Sequence, residues 1–203
     1  MQKLRAGFTI VELLVVIVVI AILAAITVVA YNNIQDRATN AARIAAAKDT
    51  LTILELYRVQ NQRYPELPDM PIPRENLKAS CIGSNWPDSD TGKVCWNIYP
   101  DSHIGASTFI TDNTVNAELS TVGTLPNYPV NSVARLADSS GYVADVAGLV
   151  LVYRTTPSTE FPVGYSVAYT LKGNFESTNC GVPGAVPSNI QDIVTRCVVP
   201  LPT

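Results

Sequence analysis

The 203-residue sequence lacks the motifs on which most enzyme chemistry depends. It has one histidine, His103, and no Gly-x-Ser-x-Gly turn that would present a nucleophilic serine. It also lacks the glycine-rich loops that bind nucleotide phosphates. A single histidine among scattered hydroxyl side chains does not make a catalytic triad. We therefore predict that the chain is not an enzyme and has no catalytic residues and no cofactor.

Signals for metal and nucleic-acid binding are equally sparse. No Cys-x-x-Cys pair occurs among the four cysteines, so we expect no zinc site. Asp88 and Asp90 resemble a fragment of a calcium loop, but Tyr99 stands where an EF-hand loop needs an acid, and a polar turn is the simpler interpretation. The formal charge is −3 and no run of five basic residues exists, so nothing indicates nucleic-acid binding.

What the sequence does contain is an uncharged apolar run over residues 13–31, directly after the acid Glu12. As a helix this run is about 28 Å long, enough to cross the hydrocarbon core of a membrane. Lys3 and Arg5 precede the run and no acid precedes them, which predicts a cytoplasmic N-terminus and an outside location for the later residues. A carboxylate in lipid costs about 2.5–3.5 kcal/mol at a helix centre and less near an end, so Glu12 is expected to have a partner.

A cut between Gly7 and Phe8 would supply that partner. The new amine would lie four residues before Glu12, on the same face of the helix. The amine of a neighbouring copy could pair with Glu12 equally well. Pairing between copies would set the axial register of an assembly, as a buried polar residue does in a coiled coil.

Residues 3–17, KLRAGFTIVELLVVI, resemble the class III signal of type IV pilins and type II secretion pseudopilins. The resemblance implies that prepilin peptidase cleaves after Gly7 and methylates the amine of Phe8. It implies that Glu12 neutralises the amine of an adjacent subunit during assembly. It also implies partners: other copies and related pilins, an assembly ATPase and a platform protein. The chain would be a single-pass protein of the cytoplasmic membrane before assembly and a cell-surface filament afterwards.

A second and weaker resemblance covers residues 54–65, which end in NQRYP. It is similar to the Asn-x-x-Tyr-Pro exit from the long helix in major pilins and major pseudopilins. A type IV pilus subunit is therefore the expected function. A pseudopilin of a secretion or DNA-uptake system, and an anchored adhesin that never polymerises, stay open as alternatives. A plain secretory signal is disfavoured because the apolar run is too long and begins with Glu12.

The chain departs from the family in its apolar half, where many pilins carry a helix-breaking glycine and proline. Those positions fall here at Ala21 and Val29, and neither residue breaks a helix. We therefore expect the helix to stay continuous in a filament.

The expected fold is α+β and type IV pilin-like: a long N-terminal helix packed on an antiparallel β-sheet head. The expected segments are a leader (1–7), the apolar half of the helix (8–31) and a head that includes its amphipathic half (32–203). The helix should reach about Gln62, because no glycine or proline interrupts it and prolines follow from Pro65. Its core-facing stripe is predicted at Ile34, Ala38, Ala41, Ala45, Thr52, Leu56 and Val59, widened by Ile44, Ala47, Leu51 and Leu54.

Strands are predicted most clearly at residues 149–154 and 165–171, which are rich in β-branched and aromatic side chains and should form a hairpin. Weaker signals lie at residues 94–99, 108–111 and 142–146. Residues 117–122 are read as a strand or turn, and the proline-rich tail from Val182 as loop.

The four cysteines fit an oxidising compartment and allow three disulfide connectivities. We favour Cys81–Cys95 with Cys180–Cys197, because each pair is close in sequence and closes a short loop. The second bond resembles the disulfide-bounded C-terminal region of many pilins.

Overall fold

The computed structural model describes residues 9–68, 77–84, 96–100, 107–108, 113–129, 134–137, 142–146, 148–156, 162–173, 180–190 and 194–202. The chain divides into two compact units, residues 1–38 and residues 39–203. The predicted segment boundaries after residues 7 and 31 stay a prediction.

Helix α1 spans Ile10–Asn61 without interruption, because its 52 residues include no glycine or proline. It ends where Gln62 adopts a positive φ of 57°, and the amide of Gln62 still donates to the carbonyl of Arg58 (2.7 Å). The predicted end of the helix near Gln62 is therefore confirmed. The helix is continuous through Ala21 and Val29 in the subunit, and its continuity in a filament stays a prediction.

Within the described residues, nine strands and one short helix follow α1. They are β1 (Leu77–Ile82), β2 (Trp96–Pro100), β3 (Ser107–Thr108), α2 (Asn113–Ser120), β4 (Ala134–Ala137), β5 (Tyr142–Val146), β6 (Leu149–Arg154), β7 (Gly164–Lys172), β8 (Val186–Ile190) and β9 (Val194–Pro200). A five-stranded sheet has the order β1-β6-β7-β9-β8, and a four-stranded sheet the order β3-β2-β5-β4. Neighbouring described strands are antiparallel, which confirms the α+β class; the second sheet was not expected.

The hairpin of β6 and β7 is confirmed, and it lies at the centre of the five-stranded sheet. Its register pairs Val150 with Ala168 and Tyr153 with Tyr165. Both strands are largely buried, as expected for strands with neighbours on both sides. The core joins their side chains to α1, α2 and the loop after α1; its members include Ala47, Leu54, Tyr57, Leu119, Tyr128, Leu151, Val167, Tyr169 and Leu171.

The predicted core-facing stripe of α1 is wrong for most of its positions. All seven of its principal positions are exposed, with Leu56 at 45% and Val59 at 69%. The four widening positions do face the core: Ala47 and Leu54 are buried, and Ile44 and Leu51 are partly buried against it. The buried face in residues 39–61 instead follows the sequence Asn40, Arg43, Ala46, Ala47, Thr50, Ile53, Leu54 and Tyr57.

The buried face was missed because polar residues occupy part of it, and two of them, Asn40 and Arg43, bond to the sheet. The Nδ2 of Asn40 donates to the carbonyl of Lys172 (2.9 Å), and the amide of Lys172 donates to Oδ1 of Asn40 (3.0 Å). Such a reciprocal pair offsets the desolvation of the side-chain amide. A pattern that counts only apolar residues cannot register this face.

Three other predictions need correction or extension. Residues 117–122, read as a strand or turn, belong to helix α2 up to Ser120, and turn bonds follow to Val122. The tail read as loop contains β8 and β9, and Pro187 is tolerated because β8 is an edge strand. Strands β2, β3 and β5 lie at the weaker signals, β2 displaced by one to two residues; β1 and β4 were not predicted. Residues 109–111 of the predicted strand lie outside the described residues.

Arg43 is a second polar contact between α1 and the rest of residues 39–203. Its side chain is 1% exposed. Its Nε donates to the carbonyl of Pro129 (3.1 Å), and Nη1 donates to the carbonyl of Thr170 (3.4 Å). The guanidinium also lies 5.7 Å from the ring centroid of Tyr128. One buried cation thus connects the helix, the 129 loop and β7.

Replacement of Arg43 should therefore destabilise the protein. We expect Arg43→Met to lower the free energy of unfolding by about 2–4 kcal/mol, because buried carbonyls lose charged donors. Urea unfolding of the full chain in detergent measures the change. Arg37→Met, at an exposed position of α1, is the control and should stay within about 0.5 kcal/mol of the parent. Equal effects of the two substitutions would contradict the role of Arg43.

A disulfide joins Cys180 to Cys197, which is the second pair favoured from the sequence. Both residues are buried, and Cys197 lies in β9, so the bond ties residue 180 to the sheet. The hydroxyl of Tyr169 donates to the carbonyl of Cys180 (2.5 Å), a second connection at the same place. Cys81 is also disulfide-bonded. Cys95 lies outside the described residues, and the Cys81–Cys95 pair stays a prediction.

Removal of the Cys180–Cys197 bond should destabilise the chain by about 3 kcal/mol, since 17 residues separate its ends in sequence. Cys180→Ala with Cys197→Ala tests this by urea unfolding under oxidising conditions. Reductant should then cause a smaller loss in the double variant than in the parent. An unchanged unfolding midpoint in the double variant would show that the bond contributes nothing.

Candidate functional site

Thr9 and Glu12 form a reciprocal cap at the start of α1. The amide and the hydroxyl of Thr9 both donate to Oε2 of Glu12, each at 2.8 Å. The amide of Glu12 donates back to Oγ1 of Thr9 (3.2 Å), and the amide of Leu13 reaches the carbonyl of Thr9 (3.3 Å). This arrangement is a capping box, which satisfies donors that a helix start leaves unpaired. Within the subunit, the acid already has a local partner.

The cap gives the Glu12 carboxylate a partner that was not predicted, and it does not exclude a second partner. Both hydrogen bonds end on Oε2, and no donor among the described residues contacts Oε1. A carboxylate can accept several hydrogen bonds at once. The helix N-terminus also favours a negative charge at this position. Glu12 is therefore held in place while one oxygen stays available to an incoming donor.

Sequence reasoning identified Glu12 but missed Thr9. The signal was present as Thr-x-x-Glu directly before an apolar run, which is the pattern of a capping box. Thr9 was not predicted as the partner, because a positively charged group was expected to pair with Glu12.

The apolar segment Ile10–Thr27 begins within this cap and has a mean hydropathy of 3.1. By length and composition this is a helix that could cross a membrane. None of the segment is buried against the described residues, and Ile10 is 85% exposed. Thr27 donates its hydroxyl to the carbonyl of Ala24 (2.9 Å), so its polar group is satisfied within the helix. Apart from Glu12 near its start, the segment therefore has an apolar surface that needs lipid or other helices to cover it.

The helix exit that resembles Asn-x-x-Tyr-Pro is well packed in residues 39–203. Asn61 donates its side-chain amide to the carbonyl of Tyr57 (3.0 Å). Tyr64 is buried, and its ring centroid lies 4.9 Å from that of Tyr165. The hydroxyl of Tyr165 donates to the carbonyl of Pro65 (3.1 Å). The motif thus directs the chain from the helix end onto strand β7.

Several residues singled out from the sequence lie outside the described residues. These are the cleavage pair Gly7 and Phe8, the acids Asp88 and Asp90, and His103. In the part of the chain that the structure describes, no group of three or more histidine, cysteine or acidic side chains could hold a metal ion.

A family model described as the prokaryotic N-terminal methylation motif matches residues 2–28. The chain carries the class III signal of type IV pilin precursors. The class III signal covers the Gly7–Phe8 junction, the Thr9–Glu12 cap and the apolar segment Ile10–Thr27 together. It indicates a pilin-like precursor of the kind that prepilin peptidase processes, and with the apolar helix it fits membrane anchoring before assembly. Neither a curated protein nor a solved structure showed significant similarity to the chain.

The cap can be tested without changing any charge. Thr9→Ala removes Oγ1 but leaves Glu12 in place, and the loss of such a cap costs about 1 kcal/mol. We therefore expect the amide of Glu12 to exchange hydrogen about five times faster in the full chain in detergent. Thr9→Ser, which keeps the hydroxyl, is the matched control and should exchange like the parent. Equal exchange in all three chains would mean that the cap is absent in solution.

Proposed function

We propose that the chain is a structural subunit of a type IV pilus-like filament, not an enzyme. The observation that supports this best is the class III signal on an apolar helix start that has no cover within the chain. An apolar surface of this kind is suited to lipid before assembly and to other helices afterwards. The residues beyond it carry a separate core and would form the filament's outer part.

The maturation steps in this proposal follow from the signal. Prepilin peptidase removes residues 1–7 by cleaving between Gly7 and Phe8, and the amine of Phe8 is then methylated. Residues 8–31 remain as the membrane half of the helix, with the N-terminus on the cytoplasmic side. Residues 32–203 lie outside and become the head of the assembled subunit. An assembly ATPase and a platform protein supply the work of extraction.

Glu12 directs the order of the subunits in the proposed filament, and the geometry of its cap is compatible with this role. Apolar helices gain little free energy by leaving lipid for one another, so shape and polar pairing must direct their order. In the proposed filament, Oε1 of Glu12 accepts from the amine of Phe8 in a neighbouring copy while Oε2 keeps its bonds to Thr9. Each carboxylate then serves one helix cap and one contact between subunits.

A pseudopilin of a secretion or DNA-uptake system is the second candidate, because the helix exit at Asn61–Pro65 resembles that of major pseudopilins as well as that of major pilins. An anchored adhesin that does not polymerise is a third. Electron microscopy of sheared surface filaments, with mass spectrometry of their subunit, distinguishes them. Long filaments of this chain support the pilus. Their absence together with lost export or DNA uptake on deletion supports the pseudopilin. An uncut Gly7–Phe8 bond in the mature protein would exclude the first two candidates and support the anchored adhesin.

Substitutions of Glu12 separate its charge from its cap. We expect Glu12→Val and Glu12→Gln both to be cleaved after Gly7 yet to yield filaments at less than about a tenth of the parent level. Glutamine can still accept the hydrogen bond from Thr9 at a capping box, but it lacks the charge that the neighbouring amine needs. Filament yield is measured by shearing and immunoblotting, and cleavage by the mass of the membrane-bound subunit.

Thr9→Ala is the control, since it weakens the cap and keeps the charge; it should retain most of the filament yield. Normal assembly of Glu12→Gln would show that the charge is not needed. If Thr9→Ala lost assembly while Glu12→Gln kept it, the role of Glu12 in assembly would be to cap the helix.

A further inference from the structure

An open groove of about 1050 Å³ lies where the end of α1 and the loop after it meet β1, β6 and β7. All of its lining residues fall within residues 39–203. Its volume is slightly above the range of about 300–1,000 Å³ that is usual for ligand sites. Neither the class III signal nor the proposed assembly contacts involve it, so its side chains call for a separate explanation.

Three tyrosines form one wall of the groove. Tyr153 and Tyr165 are directly opposite one another on β6 and β7, and their ring centroids are 4.7 Å apart. Tyr64 also packs on Tyr165, with a centroid distance of 4.9 Å. The bond from Tyr165 to the carbonyl of Pro65 holds the ring that the other two contact. The hydroxyl of Tyr64 is buried and has no hydrogen-bond partner among the described residues, so it is not offered to a ligand. The three rings together form a preformed aromatic surface.

Cationic side chains lie beside this wall, and Arg63 is the best placed. Its Nη1 donates to the carbonyl of Tyr64 (3.2 Å), and its guanidinium lies 5.9 Å from the ring centroid of Tyr57. Nη2 is 3.9 Å from Glu118, whose carboxylate also accepts from the hydroxyl of Tyr57. The side chain is nevertheless 55% exposed. Arg63 is thus oriented by its neighbours and accessible to a ligand.

The other charges of the lining are mixed. Arg58 and Lys78 line the groove together with one acid, Glu66. Arg58 makes a bidentate pair with Glu55, with Nη2 and Oε1 at 2.8 Å, which neutralises much of its charge. The lining therefore has a modest positive excess on a chain whose net charge is −3.

These features select among anionic ligands. A long polyanion such as nucleic acid would be repelled at a distance by the negative chain, and the lining offers too few cations for many phosphate contacts. A short acidic sugar needs fewer cationic contacts than a polyanion does. Its ring presents C–H groups to a tyrosine face, and its carboxylate suits a guanidinium.

We propose that the groove bounded by Tyr153, Tyr165 and Arg63 binds a short acidic glycan, with a uronic-acid ring against the tyrosines and its carboxylate on Arg63. The site would allow a subunit to attach to short acidic sugars at a surface. All of its residues belong to one subunit, so binding can be measured without filaments.

Isothermal titration of the full chain in detergent tests this with two matched probes. They are a galacturonic acid trisaccharide and the corresponding neutral galactose trisaccharide, which lacks the carboxylates. We expect saturable binding of the acidic probe at least tenfold tighter than of the neutral one. A single-stranded DNA of ten nucleotides is the third probe and should bind more weakly than the acidic sugar.

Variants assign the binding to the groove. Arg63→Gln should weaken the acidic trisaccharide about 10- to 100-fold, which is the effect of losing a hydrogen bond to a charged group. Arg37→Gln makes the same charge change at an exposed position of α1 outside the groove and should bind within twofold of the parent. Tyr153→Ala should weaken binding at least fivefold and Tyr153→Phe less than twofold, because the ring face is retained. Thermal unfolding confirms that each variant is folded.

The proposal is overturned if the acidic trisaccharide does not bind, or if the neutral sugar binds as tightly. Equal losses in Arg63→Gln and Arg37→Gln would overturn it too, since they indicate non-specific charge attraction. Tighter binding of the DNA, lost in Arg63→Gln, would replace the glycan by a nucleic acid. None of these results depends on filament formation, so failure here leaves the pilus proposal standing.

Discussion

The constraint on which this molecule depends is that an uninterrupted helix of 52 residues must satisfy its own backbone at its start. In water the first amides of a helix can bond to solvent, but in lipid they cannot. Thr9 and Glu12 satisfy two of the amides at this start, their own, through reciprocal bonds inside the chain. The carboxylate of Glu12, which is unfavourable at the edge of an apolar segment, thereby helps to cap the helix.

The same principle explains the face that α1 buries in residues 39–203. Asn40 and Arg43 would be unfavourable in an apolar core, yet each donates to a backbone carbonyl elsewhere in that unit. They connect the helix to β7 and to the loop before β4 at fixed positions. Directional bonds of this kind fix one rotation of the helix, whereas alanine-rich packing permits several. Because the helix has this rotation, some of its apolar residues, such as Leu56 and Val59, are exposed.

The residues around the helix exit have a structural role and, in the proposed glycan site, a binding role. Tyr64 and Tyr165 are packed together and direct the chain onto the sheet, which is a structural role. Burial raises the pKa of Tyr165 above its usual range, so its hydroxyl, which is neutral at physiological pH, stays a donor at higher pH as well. Arg63 stands at the edge of the same cluster, oriented but exposed. A packed aromatic base with an accessible cation is suited to recognition because little ordering is left to occur on binding.

The sequence by itself determined the features that arise from local chemistry. The apolar run before residue 31, the length of α1 and the strands β6 and β7 follow from composition and the absence of helix breakers, and Glu12 follows from its isolation at the start of the run. The Thr9 cap was also readable there, because its partners are three residues apart. Only the tertiary structure decided which face of α1 is buried, since Asn40 and Arg43 find their partners more than 80 residues away. It likewise decided that the proline-rich tail forms β8 and β9, because pairing with β7 and the bond between Cys180 and Cys197 outweigh weak local preference. Long-range pairing carries no local signal, and the groove between the helix exit and the sheet exists only once that pairing has formed.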